Sequence, residues 1–491
     1  MPLAVLIIGM FMSILDTSIV NVAIPTIQKE FGTTTEDIQW IATAYTLCLG
    51  IVVPASSWLG DRVGLKQLYL VSLVAFSAAS ALCGMAWDLN SMVAFRILQA
   101  VPGGIIPVVC LTTLYRIVPK RKIGIAMGLY GLGIVVAPAI GPALGGYLVE
   151  YVDWRLIFYI NVPIGVLGAM AALAVLPSFP RIAGRRFDVP GFLTIAAGLF
   201  ALLLAVSEGA DWGWDGYRVR LLVVGGLILL ALFVVIELEV AQPLLDVRVF
   251  RCWPFVNSLI LIMINSIGLF TALFYIPLFL QEGQNLEAFD TGLMLLPQAL
   301  VMLVMMPIAG RLFDLIGPRI PAFVGLCVNG VGTLLLCGIN ADMTHSEVVG
   351  WLMLRSFGIG LSMMPIMTGG ISAIPPAMIG AASAFNNVVQ RVSMAFGVAA
   401  LTALATAMQA QVMADRSGLL PGGDPRAAGM GHDGLTGMYP VMQRLRLATL
   451  ATSYSNVFLV VAVLTFIGAG LALFMRHGPA PETAEKAAVE V

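Results

Sequence analysis

Long apolar runs broken at near-regular intervals by short polar stretches are the dominant pattern of this chain. Windows of roughly 20 apolar residues match the length at which an α-helix crosses the hydrocarbon core of a bilayer. They predict helices near 3–27, 37–58, 67–88, 90–115, 123–148, 154–176, 189–207, 219–238, 255–280, 289–309, 319–339, 348–369, 380–408 and 451–475. The breaks hold Pro, Gly and charged residues, as helix ends and turns do. Fourteen spans is an even number, so both chain ends fall on one side of the membrane. The first run is too long for a signal peptide and lacks a small-residue cleavage site, so it reads as a retained helix. It starts almost at Met1 with no basic flank, and the natural start is expected a few residues upstream.

Composition removes the soluble alternative. Of 491 residues, 59% are hydrophobic and 11% charged, and the mean hydropathy is +0.96. A soluble chain of this size carries roughly 25% charged residues; burial in one globule does not explain that deficit, whereas lipid as solvent does. The fold class expected is therefore all-α integral membrane. A net charge of −1 gives no basic field, which argues against nucleic acid as partner. The six cysteines (Cys48, Cys83, Cys110, Cys252, Cys327 and Cys337) have no metal spacing and read as small hydrophobes. There is no Walker motif and no catalytic metal cluster, and the Gly-rich stretches sit inside apolar runs. The expectation is no enzyme, no cofactor and no metal.

Orientation follows the Lys and Arg of the loops. With both ends in the cytoplasm, the inside loops and tail hold 15 of the 26 positive residues, including Arg62, Lys66, Arg116, Lys120, Arg121, Lys122, Arg181, Arg185 and Arg186. The outside holds 8, half of them in one long loop near 409–450. Trp87, Trp154, Trp212 and Trp214 fall near the outer ends, as interfacial aromatics do. The localisation expected is a plasma membrane of the bacterial inner type, with both termini cytoplasmic.

The chain also repeats. "LGDRVGLK" (59–66) and "LFDLIGPR" (312–319) each follow an apolar run, and each reads acid, two residues, Gly, one residue, base. Asp61 to Asp314 and Gly64 to Gly317 both span 253 residues. Arg96 in the fourth helix and Arg355 in the twelfth form a second pair. Two homologous six-helix halves would be helices 1–6 and 9–14, a recurrent transporter plan with the site at the interface of the halves. The organisation expected is an N-terminal bundle (1–176), two inserted helices with linkers (177–250), a C-terminal bundle (251–475) and a disordered cytoplasmic tail (476–491).

Asp16 lies in "ILDTSIVNVAIP" (14–25), in the middle of the first run. A charge at the centre of a membrane helix costs about 2.5–3.5 kcal/mol on insertion scales, so such residues face a bundle interior or a wet cavity. Desolvation raises a carboxyl pKa and a nearby cation lowers it. A group held between those pulls can load and release a proton as its surroundings alternate. The plainer account is hydrogen bonding across helices, with Thr17, Ser18 and Asn21 nearby. Arg96 is the matching cation, since Arg stays ionised when buried; a strut bonded to backbone carbonyls is its alternative. Arg355 has no acid near it in sequence and reads as structural. Gln99, three residues after Arg96 on the same helix face, is assigned to the cavity wall. Asn257, Asn265, Asn386, Asn387 and Gln390 are further cavity candidates, because polar amides seldom face lipid. Met294, Met302, Met305, Met306, Met363, Met364 and Met367 suit a pliable cavity, and ordinary packing accounts for them as well.

In "GPALGG", Gly141, Pro142, Gly145 and Gly146 combine small residues four apart, which let helices approach closely, with a proline that bends the helix. The set suits a gate and also plain packing. Asp61, Arg62, Gly64 and Lys66, with Asp314, Gly317 and Arg319 of the second copy, are assigned to gating at the cytoplasmic surface. Asp61 is expected to pair with Arg116 or to favour a helix N-terminus. Positive-inside anchoring fits Arg62 and Lys66.

Over nearly its whole length the chain resembles the major facilitator superfamily, and within it the 14-helix drug:proton antiporter family of multidrug exporter type. "LDTSIVNVAIP" (15–25) is similar to that family's first-helix signature, and "WIATAYTLCLGIVVPASSWLGDRVGLK" (40–66) to its second helix and the loop after it. "RILQAVPGG" (96–104) resembles the fourth-helix signature with its intramembrane Arg. "GLGIVVAPAIGPALGG" (131–146) resembles the fifth-helix antiporter signature, and "WRLIFYINVPIG" (154–165) the start of the sixth helix. Departures occur at Ser57, where the loop signature usually has Gly, at Leu65, where a second base is usual, and at Ala100 and Pro102. Helix 13 carries Asn386, Asn387, Gln390 and Arg391 but no acid, whereas some members carry acids there and handle dications.

The resemblance implies two six-helix bundles plus two inserted helices, proton handling at Asp16 and Arg96, and coupling through Gly141, Pro142, Gly145 and Gly146. The function expected is a proton-coupled exporter of amphipathic small molecules or drugs, working by alternating access, with antibiotic resistance as its outcome. Its partners are the substrate, protons and membrane lipid, and it is expected to act as a monomer. Export of an endogenous natural product, siderophore or lipid is the alternative cargo. A non-transporting membrane sensor or scaffold is the alternative of another class, and would need a soluble signalling domain.

Overall fold

The computed structural model describes residues 2–181, 186–284, 286, 288–340, 343–417 and 432–475. Arg185, the Gly-rich stretch 418–431 and the tail 476–491 lie outside the described residues. The elements are α1 (Pro2–Phe31), α2 (Thr35–Ile38), α3 (Trp40–Val52), α4 (Ala55–Val63), α5 (Leu65–Gly84), α6 (Leu89–Ile117), α7 (Ile123–Tyr151), α8 (Leu156–Tyr159) and α9 (Asn161–Val175). They continue as α10 (Val189–Trp212), α11 (Tyr217–Glu239), α12 (Trp253–Gln284), α13 (Ala288–Ile316), α14 (Arg319–Leu335), α15 (His345–Ser372), α16 (Ile379–Ser417) and α17 (His432–Ala472). Thirteen helical stretches are long and apolar enough to cross a membrane, and α3 with α4 forms a bent pair that would make fourteen. The all-helical membrane architecture expected from the apolar pattern is what the chain adopts.

Three predicted spans differ in detail. The second is bent by 58° between α3 and α4. Pro54, at the N-cap of α4, has no N–H to donate and its ring crowds the preceding turn. The sixth is divided into α8 and α9, so that Asn161 stands at a helix start with Pro163 in the same turn, where a missing N–H costs nothing. The last begins at His432 rather than near 451, so helix occupies part of the predicted outer loop. Met, Gln, Arg, Leu and Ala in "VMQRLRLATL" are good helix formers, and helix outlasts the strictly apolar window.

α1 and α3–α9 pack on one another, as do α12–α17. α10 and α11 pair and lie beside both groups, with α10 touching α3 and α16. One apolar core runs through both groups, from Leu6, Tyr69 and Met127 to Met306, Met364 and Phe385. The outer faces are apolar as well: Leu221, Leu227 and Ile228 of α11 are more than half exposed, as side chains solvated by lipid tails are. Within the core, hydroxyls tie helices together through backbone carbonyls. Ser13 Oγ donates to Gly103 O (3.1 Å) and Tyr69 Oη to Val5 O (2.6 Å). In lipid these bonds replace part of the driving force that water supplies elsewhere.

The close backbone approaches between the two groups lie at the end that carries Gly64 and Gly317. A Cβ added to Gly124 of α7 would strike Gly310 O of α13, and one on Gly128 would lie 2.6 Å from Met306 O. On the other diagonal, a Cβ on Gly380 of α16 would lie 2.7 Å from Ser57 Oγ of α4. Ser57 and Gly310 occupy matching places in the repeat, 253 residues apart.

Candidate functional site

The Asp16 side chain is fully buried. It sits about halfway along α1, some 21 Å from either helix end at the usual rise. Two elements, α6 and α9, supply donors to its carboxylate, and residues of α3 and α5 support those donors. Arg96 Nη1 of α6 approaches Oδ2 at 2.6 Å. Gln99 Nε2 of α6 and Asn161 Nδ2 of α9 each donate to Oδ1 at 2.9 Å. Arg96 Nη1 also donates to Gln99 Oε1 (2.7 Å), and its Nε reaches Ile41 O of α3 at 3.5 Å. The Tyr45 ring of α3 covers the guanidinium at 3.8 Å. Ser80 Oγ accepts from Asn161 Nδ2 (3.0 Å) and donates to Phe158 O (2.8 Å).

Local sequence explains the placement. α6 begins at a capping box in which Asp88 Oδ1 accepts from Ser91 N (2.8 Å) and Ser91 Oγ accepts from Asp88 N (3.1 Å). Hydrogen bonding from the Ser91 side chain and backbone holds the Asp88 carboxyl below the usual range, and the box sets the register that puts Arg96 and Gln99 on one face two turns later. The break before α9 carries Asn161 to the same depth. A clamp at the far end of α1 fixes α8 beside it. There Glu30 accepts from Trp154 Nε1 (2.5 Å) and Arg155 Nη1 (2.7 Å).

The arrangement has a chemical consequence. A carboxylate surrounded only by donors, with a cation against one oxygen, is matched to its ionised form. Protonating it places a hydrogen among those donors and weakens the Arg96 contact.

Asp16 and Arg96 are thus brought together, 80 residues apart in sequence. Gln99 belongs to this cluster rather than to the cavity wall: it shares the Arg96 face, and that face turns to Asp16. Asn161, Tyr45 and Ser80 are the members that sequence reading did not single out. The signal for Asn161 was a lone amide in an apolar run; Tyr45 and Ser80 carried none.

Asn265, Asn386, Asn387 and Gln390 do line a common cavity, between α12, α15 and α16, together with Met363 and Met367. It is a narrow cleft of about 20 Å³, roughly the space one water needs. Asn265 Nδ2 donates to Ser362 Oγ (3.2 Å). Asn257 is not on this wall. Its Nδ2 donates to Leu471 O (3.1 Å) and joins α12 to α17. Arg355, the repeat partner of Arg96, pairs with no carboxylate among the described residues: its Nε donates to Thr333 Oγ1 (3.3 Å) and its Nη2 to Gly268 O.

At the turn end, Gly64 (φ 94°) and Gly317 (φ 81°) both adopt the left-handed region, where a side chain would be strained. Asp61 lies 3.7 Å from Arg116. Its counterpart Asp314 takes the other option and accepts from Gly124 N (2.8 Å) and Ile125 N (3.0 Å) at the start of α7. A carboxylate is favoured at that helix end, and here it joins the two halves. Arg62 lies over the Trp58 ring (5.4 Å), Lys66 Nζ donates to Leu173 O (2.9 Å), and Arg319 is exposed at the start of α14.

In the fifth span, Gly141 and Gly145 face α1 and Gly146 does not. A Cβ on Gly145 would lie 2.8 Å from Ile19 Cγ1 and 3.1 Å from Ile19 O, whereas one on Gly146 meets nothing within 4 Å. Pro142 lies between them on an exposed face. Gly145→Leu is expected to push α1, and Asp16 with it, away from α7. Membrane expression should stay near normal while the efflux expected from the sequence is abolished or becomes a leak. Absence of the variant from the membrane would mean that Gly145 serves packing alone.

The sequence profile of the Major Facilitator Superfamily matches residues 6–398. An uncharacterized MFS-type transporter, YhcA of Bacillus subtilis (strain 168), is 36% identical over 82% of this chain and 76% of its own length. The multidrug transporter protein MdtP of the same organism is 30% identical over 84% of this chain and 76% of its own. Among solved structures, the human organic anion transporter MFSD10 (TETRAN) superposes with a TM-score of 0.61 at 14% identity, covering 94% of this chain and 98% of that one. A likeness at that identity speaks for the fold.

Proposed function

Because this chain belongs to the major facilitator superfamily, and is therefore a transporter rather than an enzyme, we propose that it is a proton-coupled exporter of amphipathic small molecules. The observation that carries this reading is the fully buried Asp16 carboxylate, held by Arg96, Gln99 and Asn161 at mid-membrane depth. Intramembrane ionisable residues are expensive and functional by default. The relative MdtP, named a multidrug transporter, supports the export of drug-like molecules.

In this reading both chain ends are cytoplasmic, and the Gly64/Gly317 end is the inner gate. The gate is closed by Asp314 on the start of α7, by Tyr115 Oη donating to Thr368 O (3.4 Å), and by the Gly124–Gly310 approach. A proton on Asp16 loosens its hold on Arg96 and lets α1 and α6 shift. α7 packs on α1 through Gly141 and Gly145 and on α13 through Gly124 and Gly128, so it is the element able to convey that shift to the gate.

The test is dye and drug efflux in cells lacking other pumps, with and without a protonophore. Efflux should stop when the proton gradient is collapsed. Efflux that survives the protonophore and stops on ATP depletion would overturn the reading.

A further inference from the structure

Deep in the described spans stand one carboxylate, Asp16, and three guanidiniums, those of Arg96, Arg355 and Arg391. Asp16 compensates Arg96. Arg355 is 1% exposed and locked onto Thr333 and Gly268. Arg391 of α16 has neither arrangement. No ion pair among the described residues includes it, and its Nε is buried without a hydrogen-bond partner.

Its position is informative. Arg391 follows Gln390 and lies four residues after Asn387, both on the cavity wall, so it shares the Asn387 helix face. Further along that face Gly380 packs on Ser57 of the other half, and Arg391 itself lies within electrostatic reach of Tyr45. The Tyr45 hydroxyl is also buried and unbonded. A second observation concerns the wall itself. Asn386 is 3% exposed and lines the cavity, yet neither its amide nitrogen nor its oxygen has a partner among the described residues.

A half-buried guanidinium whose Nε is buried and open, with no counter-ion among the described residues, and a buried amide with both groups open are unfavourable unless something else pairs with them. A planar carboxylate suits Arg in a fork geometry that an ammonium or a neutral group lacks. A cation entering the same cleft would meet an uncompensated positive charge.

We propose that this cleft, water-sized while the halves are closed, widens as they part and takes an amphipathic organic anion, its acidic group between Asn386 and the neighbouring Arg391 and its apolar body against Met363, Met367 and Leu269. The assignment rests on the exporter reading and narrows its substrate class to organic acids.

Three probes that share one apolar body test it: 1-pyrenebutyrate, 1-pyrenebutanol and a pyrenebutyl trimethylammonium salt, titrated against the purified full-length protein. Pyrenebutyrate should bind roughly 10- to 100-fold more tightly than the alcohol, the range that a hydrogen bond to a charged group spans, and the ammonium most weakly. Arg391→Gln should bring the anion down to the alcohol's affinity while leaving the alcohol unchanged. Arg391→Lys, which keeps the charge, should retain part of the preference and guards against misfolding of the first variant. Equal binding of the three probes by the wild type, absence of saturable anion binding, or a preference that survives Arg391→Gln would each overturn the assignment. Asp16→Asn should keep the anion preference while losing coupling, so failure of proton coupling and failure of the anion site read out separately.

Discussion

Asp16→Asn is expected to lower gradient-driven efflux by on the order of 100-fold or more, the low end of what losing a proton-transfer group costs, while the protein still inserts and still binds substrate. The geometry says why folding should survive. Asn at this position keeps an oxygen for Gln99 Nε2 and Asn161 Nδ2, which both donate to Oδ1 at 2.9 Å. What changes is the other side. The new amide would face Arg96 Nη1, now 2.6 Å from Oδ2, donor against donor. Arg96 retains Gln99 Oε1 at 2.7 Å and the Tyr45 face at 3.8 Å, so its charge is not left bare. Removing one partner of a buried pair outright costs about 3–5 kcal/mol, and these remaining contacts should hold the loss below that range. Asp16→Glu should keep part of the activity, because a carboxyl remains, displaced by one methylene. Efflux assayed at several pH values, with expression measured alongside, separates the outcomes. Full activity in Asp16→Asn would make this carboxylate a hydrogen-bonding group only.

Gly124→Leu should be nearly as damaging, for a different reason. The Cβ position of Gly124 is already occupied by Gly310 O and lies 2.6 Å from Asp314 Oδ1, so the obstacle is the backbone of α13, which has no rotamer to yield. The side chain would also displace Asp314 from Gly124 N and Ile125 N. Overpacking of this kind costs about 1–3 kcal/mol or more, and about 3 kcal/mol shifts a closed/open ratio by roughly 150-fold. The halves should then fail to close at the Gly64/Gly317 end. In a cysteine-free background, Ser57→Cys, which packs on Gly380, should be protected from an impermeant maleimide alone and labelled quickly when Gly124→Leu is added. Efflux should fall by about the same factor as the closed state. Unchanged labelling and unchanged efflux would remove this contact from the gate.

Much of this was legible in the sequence, for physical reasons that differ from residue to residue. Asp16 and Arg96 announced themselves because a charge in an apolar run is costly and has to be compensated. Gly64 and Gly317 did so because the acid–Gly–base turn occurs twice at a fixed separation. The apolar windows likewise carried the helices, since length and hydrophobicity are what membrane crossing demands. The bend at Pro54 and the break before Asn161 escaped, because window hydropathy is blind to a local loss of backbone bonding. Tyr45 escaped because a tyrosine in a membrane helix looks like any interfacial aromatic until the cation beneath it is seen. Gln99 and Asn257 were recognised as buried amides but assigned to the cavity wall, since periodicity gives a face and not what that face meets. The cross-half role of Gly124 depends on α13, 190 residues away by its contact with Asp314, and no local pattern encodes it.

In the exporter reading, the Asp16 carboxyl takes up and gives up a proton inside the membrane. Infrared difference spectroscopy of the lipid-reconstituted protein through a pH titration measures that directly. The wild type should show a protonated-carboxyl stretch that grows as pH falls and is missing from the Asp16→Asn difference spectrum, with the other carboxyl bands unchanged. Identical carboxyl spectra in the two proteins would contradict the account.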